Sequence, residues 1–403
     1  MIDTYTGIAP KGDLILLKRM GERLQGRTFL HVNSTKAGGG VAEILQRMVP
    51  MIQELGIQTR WEVIEGDAPF FETTKSFHNG LQGDPTVIAP EMWDHHFRIN
   101  QANAERLDLD ADMVLIHDPQ PVPLIEFKKT GHWVWRCHID LSRPYPEVWQ
   151  PLRRYVQQYE GAIFSVAKFA QDLNVGTFII PPSIDPLSEK NRDLSAEEID
   201  RVLEELGLPR DRPLVLQVSR FDRFKDPLGV IQAYRLAKKY NDCLLILAGS
   251  AATDDPEGEQ VLAEVRNYCQ GDPDIFLLLL PAGSDLMINA LQRAATVILQ
   301  KSLKEGFGLT VSEAMWKGKP IIGGAVGGIP LQIVHGVTGF LVHSVEGAAF
   351  RIRQLLNNPE MVERVGRQAR EYIRKNFLIT RQLRDYLAVW LTLENNGRSR
   401  LEL

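Results

Sequence analysis

Short runs of apolar and β-branched residues alternate along the whole chain with stretches whose apolar residues recur at helical spacing. Runs at Thr28–Asn33, Arg60–Ile64, Met113–His117, Trp133–His138, Ala162–Val166 and Phe178–Ile180 predict strands, and Val41–Leu55 carries the clearest amphipathic helix between them. The rhythm breaks at Pro181-Pro182-Ser183-Ile184-Asp185-Pro186, where three prolines in six residues can continue neither a helix nor a central strand. A second series follows, with strands at Leu214–Val218, Leu244–Ala248, Ile275–Leu280, Val297–Gln300, Pro320–Gly323 and Gly339–Val342. Helices are predicted between them at Pro227–Lys239, Pro256–Cys269 and Ser284–Arg293. Strands alternating with helices argue for parallel sheets built from βαβ units. The pattern therefore predicts an α/β protein of two Rossmann-like, doubly wound domains facing a cleft. The first spans 1–185 and the second 186–380, and the last helical segment, 381–403, is free to return to the first. Ligands of such sheets bind at the carboxyl ends of the strands.

The 403-residue length suits two domains. A net charge of −5 with both signs interspersed gives no reason to expect nucleic acid or an anionic membrane as partner. Cys137, Cys243 and Cys269 are odd in number, far apart and without metal-ligand spacing, which points to buried thiols in a reducing compartment. No apolar run approaches the ~20 residues of a membrane helix, and Met1 to Leu24 lacks a continuous apolar signal core. A soluble cytoplasmic protein is the expectation.

The densest chemistry lies at Glu305-Gly306-Phe307-Gly308-Leu309-Thr310-Val311-Ser312-Glu313, directly after a predicted strand and opening a helix. Two glycines let backbone N–H groups approach a ligand, and a helix N-terminus favours phosphate. Glutamates at both ends of the segment can hold two separate polyol groups of one extended ligand. On spacing alone, a glycine turn with a capping and a surface glutamate fits equally well. Ser219-Arg220-Phe221-Asp222-Arg223-Phe224-Lys225-Asp226 ends the first strand of the second domain, where Arg220 and Lys225 would clamp a diphosphate. A solvated basic loop is the alternative there. Gly38-Gly39-Gly40 at the start of the first helix permits close backbone approach, but Glu43 occupies the place of the last glycine in a dinucleotide fingerprint. His138 and His117-Asp118-Pro119-Gln120 end strands of the first domain. Asn33, Glu65, Asp67, His78, Asn79, Asp118 and Gln120 are acceptor-pocket candidates, with Phe77 as an aromatic face for a sugar.

The segment Glu305–Glu313 resembles the Glu-x7-Glu signature of glycosyltransferase family 4, and the basic and glycine-rich loops stand in that family's order. Many relatives read Gly-Arg-Leu and then Lys-Gly at the basic loop, where this chain has Ser219, Phe221 and Asp226. The resemblance implies a GT-B fold. It places Glu305 with the amides of Gly306, Phe307 and Gly308 on the donor hexose and Glu313 on the ribose. Leu309, Thr310, Ser219, Arg220 and Lys225 fall near the diphosphate, Gly39 and Gly40 reach over the donor, and His138 lies near the reaction centre. Longer stretches, among them Trp61–Gly66, Val114–Pro121, Trp135–Ser142, Pro181–Asn191 and Leu299–Ile329, resemble the trehalose glycosyltransferring synthases. That likeness implies reversible transfer of glucose from a nucleoside-diphosphate glucose to glucose, giving α,α-trehalose. Fungal trehalose phosphorylases share the stretches on much longer chains. The resemblance implies no cofactor and no bound metal, with Mg²⁺ at most stimulating through the free nucleotide, and it leaves room for a homodimer. Another family 4 transferase and, outside transferases, a sugar-nucleotide epimerase or a non-catalytic sugar-binding protein are the rival expectations.

Overall fold

The computed structural model describes residues 1–36, 39–249, 256–281 and 283–395. Ala37 and Gly38 of the triple-glycine loop, and the acidic pair Asp254-Asp255, lie outside them. The described residues form two compact units, one of those up to Ser183 together with those from Ile379 onward, and one of those between Ile184 and Leu378.

The first unit holds a parallel sheet of β1 (Thr28–Asn33), β2 (Gln58–Val63), β3 (Met113–His117), β4 (His132–Cys137), β5 (Gly161–Phe164) and β6 (Gly176–Ile179) in the order β2-β1-β3-β4-β5-β6. Every residue of β3 is buried, as a central parallel strand covered on both faces requires, whereas the edge strand β6 is largely exposed. One face packs an aromatic core that includes Phe70, Phe77, Trp133, Trp135 and Phe164. The helix Ile379–Glu394 belongs to this unit, where Trp390 meets Phe29 edge-on at 5.3 Å. Its Arg381 donates to the carbonyls of Pro181 and Pro182 at 2.7 and 3.2 Å. The proline run thus supplies acceptors that need no N–H of its own.

The second unit holds β7 (Leu214–Val218), β8 (Leu244–Gly249), β9 (Ile275–Leu279), β10 (Val297–Gln300), β11 (Ile321–Gly324) and β12 (Phe340–Val342), all parallel, in the order β12-β11-β10-β7-β8-β9. From β7 the chain winds outward through β8 and β9, then returns to β10 and winds the other way. The order reverses between β7 and β10, which is where a doubly wound sheet opens a crevice at its strand ends. Arg220 and Lys225 follow β7, and Glu305 follows β10. In the first unit the reversal falls between β1 and β3, ahead of Gly39 and of Asp118 respectively.

Candidate functional site

At the β7/β10 switch point the two loops close on each other. Lys225 Nζ lies 2.6 Å from Glu305 Oε2, and Ser302 Oγ and Gln300 Nε2 donate to the same oxygen at 3.0 and 3.3 Å. The Glu305 side chain is only 9% exposed, so its position is set by these donors before any ligand arrives. Gln217, buried on β7, donates to the Lys225 carbonyl at 3.0 Å and holds the lysine loop against its own strand. Asp226 takes the left-handed conformation, φ 51°, where many relatives of the motif carry glycine. Its carboxylate compensates by capping the helix Pro227–Lys238 through Gly229 N–H and by pairing with Lys301. The departure from glycine therefore preserves the loop and adds a charge pair. Arg220 differs from its neighbours: its side chain is 61% exposed, and Asp222 touches it only at 3.5 Å.

Gly308, at φ 79°, turns the chain into the helix Leu309–Trp316. Gln332, fully buried, braces this turn by donating to the Phe307 carbonyl at 2.5 Å while accepting from Ser312 Oγ at 2.6 Å. Glu313 is buried inside the helix, with Lys190 Nζ 3.8 Å from its Oε1. Lys190 follows the proline-rich segment, and Asn191 anchors that segment. Its carbonyl accepts from Trp316 Nε1 at 3.2 Å, and its Oδ1 accepts from Lys317 Nζ at 2.8 Å. The structure thus adds Lys190 to the residues around Glu313. Sequence reasoning passed over it because its partner lies beyond a hundred residues away in the chain.

In the first unit, Asp118 sits just past β3 at φ 63° and accepts from the His138 N–H through Oδ1 at 2.8 Å. The His138 ring bonds His117 at 3.1 Å. Burial pushes the Asp118 carboxyl up to about 6, against the opposing pull of the His138 N–H and the Arg136 cation. Because the native carboxyl holds its proton more tightly than the unfolded one, this contribution to stability is complete below pH 3.8 and is lost as pH rises through about 6. Asp118→Asn keeps an acceptor oxygen and tolerates the left-handed backbone. Thermal unfolding should therefore find it more stable than the parent by about 1–2 kcal/mol near pH 8, with no difference below about pH 4. Equal pH profiles would refute the raised carboxyl.

The remaining acceptor candidates divide. Asn33 is buried at the end of β1 and accepts from Trp61 Nε1 at 2.8 Å. Asp67 caps the helix Ala68–Leu81 through Phe70 N–H and pairs with His95 at 2.9 Å. Glu65 exchanges backbone bonds with the Asn103 amide, and its carboxylate lies 3.4 Å from Arg106. Gln120 offers its carbonyl to His96 and Asn100, while its side-chain oxygen is buried without a partner. His78 and Asn79 are exposed on the same helix as Phe77, which is fully buried and stacked on Trp93 at 4.4 Å. Phe77 is a core residue and presents no aromatic platform. Among the described residues no cluster of acids, histidines and cysteines could hold a metal ion, and no helix is long and apolar enough to cross a membrane.

Comparison with known proteins matches residues 31–171 to the trehalose synthase N-terminal domain and 198–372 to glycosyl transferases group 1. The trehalose synthase of Pyrococcus horikoshii is 46% identical over 96% of this chain and 95% of its own. More distantly, the trehalose phosphorylase of Grifola frondosa is 28% identical over 92% of this chain but 58% of its own. Among solved structures, an α,α-trehalose-phosphate synthase (UDP-forming) from Burkholderia xenovorans superposes with a TM-score of 0.72 at 13% identity, over 91% of this chain and 100% of that one. The fold is GT-B, and the chain belongs to the trehalose synthase family of group 1 glycosyltransferases.

Proposed function

We propose that this glycosyltransferase moves glucose from a nucleoside-diphosphate glucose to free glucose, forming α,α-trehalose with retention at the donor carbon. The observation that carries the reading is the preset Glu305–Lys225 pair at the switch point, with the exposed Arg220 on the same loop as Lys225. A carboxylate braced by three donors suits recognition of sugar hydroxyls, and two cations within one loop suit a diphosphate whose charge grows as the glycosyl bond breaks. In this reading Glu313 takes the ribose and His138 the donor hexose. The C1–O bond to phosphate breaks as the acceptor hydroxyl attacks from the same face, and its proton passes to the departing phosphate oxygen. No step uses an enzyme-bound glycosyl ester. A nucleotide sugar, glucose and trehalose are then the partners, with no resident cofactor.

Incubation with glucose and each of ADP-, GDP- and UDP-glucose tests the reading, with the product identified by chromatography and trehalase digestion. A trehalase-sensitive disaccharide supports it. Folded protein that makes none from any donor refutes it, and glucose 1-phosphate formed from trehalose and phosphate would assign the phosphorylase reaction instead.

Arg220 separates binding from folding. Its weak contact with Asp222 contributes little to stability, so Arg220→Ala should leave the unfolding temperature unchanged while lowering kcat/KM for the donor by about 10²-fold. Arg220→Lys should recover only part, since an ammonium lacks the bidentate fork. Kinetics beside a thermal scan check both; an unaffected rate in Arg220→Ala removes Arg220 from the diphosphate site.

A further inference from the structure

Three histidines of the first unit form one hydrogen-bonded chain. Strand register dictates it. His31 on β1 lies opposite Leu115 on β3; two residues on, His117 lies opposite Arg136 on β4; two further on stands His138. Each step crosses one strand and advances two residues, so all three side chains share the sheet face opposite the aromatic core. His31 Nδ1 is 3.1 Å from His117 Nε2, and His117 Nδ1 is 3.1 Å from His138 Nε2. Successive rings stack with centroids 5.4 Å apart.

His31 and His117 are buried, and burial pushes His31 down to about 3. His117 and His138 are held well below the ordinary histidine range, first by burial and then by charges that include the neighbouring buried Arg136. All three rings are therefore neutral near pH 7, each with one N–H, and the chain can run in only two directions. At its buried end His31 Nε2 has no partner. If the hydrogens pointed toward His31, that nitrogen would carry an orphaned N–H. If they point toward His138, it carries only an unused lone pair, and buried orphan N–H groups are the rarer and costlier of the two.

We infer that the chain runs from His31 through His117 into His138 Nε2 and fixes His138 with its hydrogen on Nδ1. Resting on the transfer reaction proposed above, this makes His138 a hydrogen-bond donor to a ligand oxygen. It does not take the acceptor's proton, which leaves the departing phosphate as the base. His31 and His117 are positioning residues for that tautomer.

The tautomer is read directly from imidazole nitrogen correlation spectra of the 15N-labelled full chain, with His138→Gln identifying the His138 signals. The expected result is a protonated Nδ1 and a bare Nε2; the reverse pattern overturns the inference. His31→Leu should mix the two tautomers at His138 and lower the transfer rate about tenfold, while His31→Asn, whose amide nitrogen replaces Nδ1, recovers most of the loss. A His31→Leu protein with unchanged spectrum and rate overturns the relay. Should that variant not fold, the spectrum of the parent chain still decides. The spectrum needs no substrate, so the expected tautomer in a protein that makes no trehalose would sink the proposed reaction and leave the chain of histidines standing.

Discussion

Glu305→Ala lowers kcat/KM for sugar transfer by about 10³-fold, and Glu305→Gln by about 10²-fold. Three donors converge on Oε2, so the carboxylate is oriented with Oε1 as the oxygen they leave for a ligand. Alanine removes the acceptor and leaves Lys225 Nζ, whose side chain is 18% exposed, beside an empty space. Glutamine keeps the shape but places a neutral group against the ammonium and weakens every charge-assisted bond. Because the two residues act as one unit, the double variant with Lys225→Ala should lose far less than the product of the single losses. Steady-state rates for the parent, the three single variants and the double variant, with folding checked by thermal melts, decide the matter. Near-parental rates in Glu305→Ala, or losses that multiply, would remove the pair from the reaction.

Much of this architecture is legible in the sequence for a specific reason. Strands buried on both faces read as uninterrupted apolar runs, and β3, β7 and β10 carry the predicted bounds without change. Ends shift by a residue or two where a strand runs on into a loop, as at β4 and β11. The motif after β10 is equally plain, because glycines and charges in a turn between apolar segments have few other uses. What stays hidden is whatever depends on partners distant in the chain. Nothing local ties Asn191 to Trp316 and Lys317, or Lys190 to Glu313.

One misplacement was avoidable. Phe70, Thr73, Thr74, Phe77 and Leu81 fall on one helical stripe and are all buried, so Phe77 had to face the core while His78 and Asn79 faced out. Polar neighbours in sequence suggested a sugar platform, but on a helix, adjacent residues point about 100° apart. The histidine chain was open to the same kind of reasoning. Counting alternate positions along β1, β3 and β4 puts His31, His117 and His138 on one sheet face, which reading His117 and His138 one at a time as strand-end residues does not show.

The glycines after β11 show how strongly backbone packing constrains the glutamate loop, and Gly327→Ala is the substitution that exposes it. Gly327 sits at φ +54°, and a Cβ there would lie 1.6 Å from the Glu305 carbonyl oxygen, a backbone atom with no rotamer to yield. Gly328 next to it donates its N–H to the Gly306 carbonyl at 2.9 Å, and a Cβ on Gly324 would meet the Ser302 carbonyl at 2.4 Å. The loop that carries Glu305 is thus moulded at three points against the bare backbone of this one segment. Alanine at 327 combines left-handed strain with an overlap that one of the two backbones must shift to relieve, at a cost of about 2–5 kcal/mol. A shift of about 1 Å in a positioning group is worth about 10²-fold in rate, so transfer should fall at least that far even in protein that remains folded. Gly336→Ala is the control: its φ is +79°, but its Cβ would meet nothing within 4 Å, so it carries the strain without the collision. It should melt about 1–2 kcal/mol less stably and carry out sugar transfer at the parental rate. Equal rates for Gly327→Ala and the parent would mean that the loop accommodates the methyl without moving Glu305, and that the carboxylate is positioned by its side-chain donors alone.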